Sequence, residues 1–119
     1  MDADRPIFRQ VAALVEQSIV DGSLAEDAQA PSTNELAAFH RINPATAAKG
    51  LHQLLADGIL TKRRGIGMFV VPGAREKVIQ RRRDEFVADY LRPLVAEAET
   101  LGIDRTQLHR MLDDVGGAA

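Results

Sequence analysis

The sequence predicts a mainly α-helical protein with one small β-hairpin, and three observations lead to this fold class. Two short helical segments, with capping residues at Ser32 and Asn43, follow each other closely. A basic segment with two glycines, residues 59–71, comes directly after them. A long amphipathic segment then occupies the rest of the chain. Two short helices followed at once by a basic hairpin indicate a winged helix-turn-helix domain, here with a short two-helix tail.

The first helix of the pair is predicted by the residues at its start. Ser32 and Glu35 have the spacing of a capping box, in which each side chain bonds the backbone N–H of the other residue. Pro31 prevents the helix from extending towards the N-terminus. Its short apolar face is expected to consist of Leu36, Ala37 and Phe39.

The second helix is predicted to be the recognition helix. Asn43 is a preferred N-cap residue, and Pro44 follows at the one helical position where proline costs nothing. Gly50 is interpreted as a position where two helices approach closely, and Gly58 marks the C-terminal end of this helix. The buried stripe is expected to be Ala47, Leu51, Leu54 and Leu55. The opposite face is small or polar, as a helix in a major groove about 12 Å wide requires: Ala45, Thr46, Lys49, His52 and Gln53.

The wing is predicted from two short strands, residues 59–63 and 68–71, around a turn that contains Gly65 and Gly67. Glycine supplies the positive φ angles that a tight hairpin turn requires. Three cations, Lys62, Arg63 and Arg64, lie near its tip. Cations in this place can reach phosphates or an A·T-rich minor groove.

Composition and charge exclude several other classes of protein. The chain of 119 residues has no cysteine, which excludes disulfides and zinc–thiolate sites, and its three histidines lack metal-ligand spacing. Its apolar runs are too short for a membrane span, and no signal-peptide pattern precedes them, so we expect a cytoplasmic protein. The net charge is −2, yet residues 32–71 contain five cations against two carboxylates. The basic excess therefore lies on the predicted DNA face.

The tail is predicted to begin at Pro72-Gly73, which divides the chain into a DNA-binding domain, residues 1–72, and a helical domain, residues 73–119. One amphipathic helix is expected from about residue 74 to 100, with a kink at Pro93, and Asp104 is expected to cap a last helix. Two such helices leave a long apolar stripe without a partner in the same chain, which favours a homodimer. The predicted interface is Ile79, Phe86, Tyr90, Leu94, Leu101 and Leu108.

Residues 5–71 resemble the GntR family of bacterial transcription regulators. The similarity is carried by Pro6-Ile7-Phe8, by Pro31-Ser32 with Glu35-Leu36-Ala37, by Asn43-Pro44-Ala45-Thr46, and by the wing from Arg63 to Val70. The Asn-Pro-x-Thr start of the recognition helix and the short tail are similar to the YtrA-like subfamily. Asn34 occupies the position at which the family usually has an arginine that binds a phosphate of the DNA backbone. The predicted DNA-binding residues are Ser32, Asn34, Asn43, Ala45, Thr46, Lys49, His52, Gln53, Arg63, Arg64, Gly65 and Gly67.

These observations predict a DNA-binding transcription regulator that acts as a homodimer on double-stranded DNA, and more specifically a repressor. The alternative is a winged-helix protein-interaction module that does not bind DNA. An enzyme is disfavoured because the sequence has no nucleophile–base pair, carboxylate constellation or metal spacing, and no cofactor is expected. The operator, the regulated genes and any small-molecule effector are left open.

Overall fold

The computed structural model of the protein describes residues 5–117. Residues 1–4 and 118–119, at the outer ends of the two predicted domains, lie outside the described part. The elements in chain order are α1 (Ile7–Val20), α2 (Thr33–His40), α3 (Pro44–Ala56), β1 (Leu60–Arg63), β2 (Gly67–Val70), α4 (Ala74–Phe86), a π-helical turn (Val87–Leu91), α5 (Arg92–Thr100) and α6 (Arg105–Gly116). This is the predicted fold class, a mainly helical chain with a two-stranded wing.

The core of the first compact unit, which ends at Gln80, is formed mainly by α1, α3 and the hairpin, with contributions from α2 and the start of α4. Helix α3 packs against both α1 and α2 and against β1. The largest fully buried side chains are Val11, Ile19, Leu51, Leu54, Ile59, Val70 and Val78. Val78 shows that the first turns of α4 belong to this core, so the unit continues beyond the predicted boundary at residue 72. Whether residues 1–72 fold as a domain of their own stays a prediction.

The caps of α2 and α3 are those that the sequence predicts. The Ser32 hydroxyl accepts a hydrogen bond from the N–H of Glu35 (3.1 Å), and the Glu35 carboxylate accepts one from the N–H of Ser32 (3.0 Å). Asn43 caps α3 by accepting from the N–H of Ala45 at 2.8 Å. Because both helix starts are fixed by local bonds, the turn between them is short.

Helix α3 ends in a Schellman motif around Gly58. The N–H of Gly58 donates to the carbonyl of Leu55, and the N–H of Ile59 donates to the carbonyl of Leu54. Gly58 has a φ of +73°, which glycine adopts without strain. The motif turns the chain directly into the wing.

The wing is an antiparallel hairpin in which Leu60 pairs with Val70 and Arg63 pairs with Gly67. Compared with the predicted strands, Ile59 and Val71 lie just outside the ladder, whereas Gly67 lies inside it. Residues 27–30 add a short third segment, because backbone hydrogen bonds join them to residues 68 and 70. The wing is therefore held by the chain that precedes α2.

Phe39 is not part of the core, and the prediction that it completes the apolar face of α2 is wrong. Its side chain is 82% exposed, whereas Leu36 and Ala37 are buried. The short α2 reaches α3 through those two residues, and Phe39 instead lines an open groove of about 450 Å³ between α1 and α2. The other residues that line this groove include Leu14, Leu24 and Pro31.

The second unit, from Arg81 onward, contains the end of α4, the π-helical turn, α5 and α6. The irregularity expected at Pro93 takes the form of this turn, which ends with the N–H of Arg92 bonded to the carbonyl of Val87. Proline provides no N–H and crowds the preceding turn, which a wider π turn accommodates. Asp104 and Gln107 form a second capping box at the start of α6. The predicted last helix and its cap are thus confirmed.

Candidate nucleic-acid interface

The outer face of α3 is free of the core. Its opposite side carries the buried residues Ala47, Gly50, Leu51 and Leu54. Gly50 is the predicted packing glycine, since a Cβ atom there would lie 2.9 Å from the carbonyl oxygen of Phe8. On the outer side Ala45, Lys49 and His52 are exposed, and Thr46 and Gln53 are half-buried. The structure thus brings the five predicted α3 residues to one side of the helix.

Two of the predicted contact residues, Ser32 and Asn43, are also caps. Their side-chain oxygens accept helix N–H groups, which leaves the Asn43 NH₂ as a donor, whereas the Ser32 hydroxyl also bonds the Glu35 carboxylate. The backbone N–H of Ser32, followed by its hydroxyl, holds the pKa of Glu35 below its ordinary value. Asn34 is exposed near the start of α2. Both helix starts therefore present hydrogen-bond donors to solvent.

Gln53 is more constrained than the sequence indicates. Its side-chain amide donates to the carboxylate of Asp57, one turn later on the same side of the helix, at 3.0 Å. The carbonyl oxygen of the Gln53 side chain keeps its acceptor capacity. His52, by contrast, is exposed.

Lys49 lies against the first helix rather than extending freely. Its Nζ atom lies 4.2 Å from the centroid of the Phe8 ring. The guanidinium carbon of Arg9 lies 5.3 Å from the same centroid. The Phe8 ring thus has a cation of α3 and a cation of α1 near it. Arg9 extends the basic surface, which was predicted from the sequence only for α3 and the wing.

The wing places its cations around a tight turn. The N–H of Ile66 bonds the carbonyl of Arg63 at 3.0 Å, and Gly65 between them has a φ of +76°, as in the third position of a type II turn. Arg64 and Gly65 form the exposed tip. Arg63 bends back, with its guanidinium carbon 3.9 Å from the centroid of the Phe69 ring. The hairpin thus presents Arg64 at its tip and Arg63 along its side.

Four residues of this surface were missed from the sequence: Phe8, Arg9, Phe69 and Gln29. The side-chain amide of Gln29 donates to the carbonyl of Ile66 in the wing turn. The alternation of side chains along β2 could have indicated which side of the hairpin Phe69 faces. Phe8 and Gln29, by contrast, contact residues that are distant in the sequence. A local pattern does not report such contacts.

Within residues 5–117, no group of three or more histidine, aspartate or glutamate side chains is placed to hold a metal ion. The helices of this part of the chain are also too short or too polar to cross a membrane.

Comparisons with known proteins agree with this geometry. The profile of the family described as "Bacterial regulatory proteins, gntR family" matches residues 8–70, which run from α1 to the end of β2. The chain is 24% identical over 110 residues to the HTH-type transcriptional repressor YtrA of Bacillus subtilis (strain 168), covering 92% of this chain and 84% of that protein.

Solved structures give the same result for the fold. The crystal structure of a transcriptional regulator from Oenococcus oeni matches with a TM-score of 0.81 at 25% identity, over 98% of this chain and 96% of that chain. The DNA-binding domain of AraR in complex with operator ORX1 matches with a TM-score of 0.54 at 28% identity, over 56% of this chain and 81% of that chain. The protein belongs to the GntR family of bacterial regulatory proteins and is a DNA-binding transcriptional regulator of that type.

Proposed function

We propose that the protein is a homodimeric repressor that binds an inverted-repeat operator in the cytoplasm. The observation that carries this proposal is the exposed outer face of α3, with Lys49 and His52, beside a hairpin that presents Arg63 and Arg64. A helix of this kind fits the major groove, and the adjacent wing reaches the backbone or the minor groove. Occupancy of the operator then blocks RNA polymerase.

Base recognition in this proposal rests on few side chains. Thr46, Lys49, His52 and Gln53 are the α3 residues that can bond base edges, with Ala45 leaving room for close approach. Ser32, Asn34, Asn43 and the wing residues supply contacts to phosphates. Each half-site should therefore contain few strongly specified base pairs. Most of the affinity then comes from backbone charge and from engaging two half-sites together.

The second unit supports dimerisation by the apolar surface that it leaves open. Phe86, Tyr90 and Leu101 are 55%, 68% and 62% exposed, respectively. The rings of Phe86 and Tyr90 lie 5.9 Å apart, so they present one continuous surface. Of the other predicted interface residues, Leu94 and Leu108 are half-buried in this unit, and Ile79 is half-buried near the end of the first unit. A second copy of the chain would remove this area from water, and a closed two-fold dimer would present two identical recognition helices.

The proposal of repression draws support from the similarity to YtrA, whose name describes it as a repressor. The test is selection of binding sites from a random duplex pool by the full chain, followed by footprinting. We expect an inverted repeat with half-sites about 34 Å apart. Inserting about five base pairs turns one half-site to the far side of the duplex, so binding should fall to near the single-site level. A single asymmetric site, or no selected duplex, would contradict the proposal.

The wing is tested by the salt dependence of binding to the selected duplex. Replacing Arg63 and Arg64 by alanine should lower affinity and flatten the slope of log K against log salt by up to about 0.9 per lost phosphate contact in each protomer. Arg110→Ala, on the exposed surface of α6, is the matched control that should leave the slope unchanged. An unchanged slope in the double variant would show that the wing does not contact the backbone.

A further inference from the structure

Two of the four phenylalanines of this chain lie beneath cations of the proposed DNA face. Phe8 is the second residue of α1, and its ring lies 4.2 Å from Nζ of Lys49 in α3. Phe69 lies in β2, and its ring lies 3.9 Å from the guanidinium carbon of Arg63 in β1. Both rings are half-buried. Each ring thus lies against a cation of a different element, Lys49 of α3 and Arg63 of β1.

The Phe8 ring is attached to rigid backbone. The first turn of α1 is closed by hydrogen bonds from the N–H groups of Arg9 and Gln10 to the carbonyl of Pro6. The Phe8 carbonyl lies so close to α3 that only glycine fits at position 50. The backbone that carries the ring is therefore packed closely against the recognition helix.

The backbone of Phe69 is fixed in a comparable way. Phe69 pairs with Thr61 in the hairpin, and on its other side it forms a bridge with Gln29. It thus lies in the middle segment of the small sheet. Arg63, which pairs with Gly67 near the tip, reaches back over this ring.

An aromatic ring holds a cation without neutralising it. A carboxylate partner would also fix a lysine or arginine, but it would cancel the charge that a phosphate needs. Among residues 5–117, no carboxylate forms a salt bridge with Lys49 or Arg63. The face of a ring attracts the cation through its quadrupole and leaves the outer side of the cation open. Long cationic side chains otherwise lose rotamer freedom when they bind, and a prior contact reduces that cost.

We propose that Phe8 and Phe69 are positioning residues of the DNA interface, which hold Lys49 and Arg63 in the orientation that meets the phosphate backbone. The inference rests on the proposed DNA face and adds to it two residues that need not touch DNA themselves. It matters in this chain because residues 32–71 contain only five cations, so each contributes a large share of the attraction.

The test is a pair of double-mutant cycles on the full chain, with binding to the selected duplex measured by fluorescence anisotropy at fixed salt. Phe8→Leu should weaken binding about two- to five-fold per protomer, the size expected for an exposed cation–π contact. In a Lys49→Met background the same change should have a smaller effect, because only the Arg9 contact with the ring then remains to be lost. The cycle of Phe69→Leu with Arg63→Met should behave in the same way. Phe39→Leu, an exposed ring that faces His40 rather than a cation of this surface, is the control.

Fluorinated phenylalanine at position 8 or 69 keeps the shape of the ring and weakens its quadrupole, so it separates positioning from folding. Affinity should fall with each added fluorine, whereas Phe8→Tyr should retain it. In the free protein, ring-current shifts of the Lys49 side-chain protons should disappear in Phe8→Leu. If the wild-type chain binds the duplex but Phe8→Leu lowers the affinity by the same factor in the wild-type and the Lys49→Met backgrounds, the inference is wrong while the proposed function stands. If the wild-type chain binds no duplex, both are wrong.

Discussion

The side-chain amide of Gln29 donates a hydrogen bond to the backbone carbonyl of Ile66, 3.0 Å away, and so joins the segment before α2 to the turn of the wing. The backbone supports the same connection, because the N–H of Ala30 bonds the carbonyl of Met68 at 2.8 Å. A hairpin of two short strands is marginal by itself. This connection therefore determines how firmly the wing cations are held.

Gln29→Ala should increase the mobility of the wing turn and cost about 0.5–1 kcal/mol of stability, at the lower end for a hydrogen bond at an exposed site. Stability falls because the Ile66 carbonyl then accepts its hydrogen bond from water instead of from the fixed Gln29 amide. NMR relaxation of the Gly65 and Ile66 amides measures the change. Gln29→Glu keeps the length of the side chain but cannot donate, so it should behave like alanine. Unchanged relaxation in both variants would contradict this role.

The helix-turn-helix could be predicted closely because its determinants are local. A capping box uses residues three apart, and Asn43-Pro44 fixes a helix start with two neighbours. The energy of these bonds depends little on the rest of the fold, so the sequence alone specifies them. Gly58 and the glycines of the wing are predictable for the same reason, since positive φ angles select glycine.

Contacts between distant segments could not be predicted in this way. Phe8 meets Lys49, and Gln29 meets Ile66, only because the core brings α1 against α3 and the third segment against the hairpin. For Phe39 the local pattern was misleading. Its spacing from Leu36 fits an apolar face, but no neighbouring element covers it. The proline at position 93 indicated an irregular helix, although a kink and a π turn can both accommodate a residue that has no N–H to donate. The choice between them depends on packing.

Gly50→Ala should destabilise the first unit by about 1–3 kcal/mol, because the new methyl group would press on backbone as well as on side chain. Its Cβ would lie 2.9 Å from the Phe8 carbonyl oxygen and 3.0 Å from Cγ1 of Val11. Urea unfolding followed by circular dichroism measures the change. Gly116→Ala in α6, where no atom lies within 4 Å, is the control and should show no loss. Equal stability of the two variants would contradict the close packing of α1 and α3.

Glu35→Gln should reduce the acid sensitivity of folding. The bond from the Ser32 N–H lowers the pKa of Glu35 in the folded state, so protons bind the unfolded chain more strongly. The stabilising contribution is fully present above the ordinary pKa of the carboxyl group and is lost as pH falls through the lowered value. Glutamine retains an acceptor oxygen but does not titrate, so its thermal midpoint should change less with acid. Parallel pH curves for the two proteins would contradict this prediction.

Phe86→Asp should convert a dimer into monomers if the tail forms the interface. An unpaired charge buried between two copies costs about 3 kcal/mol or more, and the 55% exposure of Phe86 in the single chain means that folding itself is little affected. Sedimentation at low micromolar concentration measures the state. Ala88→Asp, an exposed position two residues further along the same helical segment, is the control that should remain dimeric. If the Phe86→Asp variant still sediments as a dimer, the interface lies elsewhere.

In addition to the buried Ala74 and Val78, two polar side chains attach the start of α4 to the rest of the first unit. The Glu26 carboxylate accepts hydrogen bonds from the N–H of Gly73 at 2.9 Å and of Arg75 at 3.4 Å. The guanidinium Nε of Arg75 donates to the carbonyl of Val20, at the end of α1, at 3.0 Å. These contacts hold the first turn of α4 against the end of α1 and the segment that follows it. In the proposed dimer, we expect this attachment to influence the distance between the two recognition helices.

Glu26→Ala should therefore make binding more tolerant of half-site spacing. The wild-type dimer is expected to lose affinity steeply when one or two base pairs are inserted between the half-sites, because each base pair also rotates the second site around the duplex. Without the Glu26 contacts, α4 can begin at a wider range of angles, so the variant should bind the original site somewhat more weakly and the shifted sites with a smaller penalty. The measurement is the ratio of Kd values for shifted and original duplexes, which cancels a general loss of stability. Glu76→Ala, an exposed carboxylate in the same turn of α4, is the control that should keep the wild-type ratio. If Glu26→Ala also keeps that ratio, the spacing is determined by elements other than this attachment.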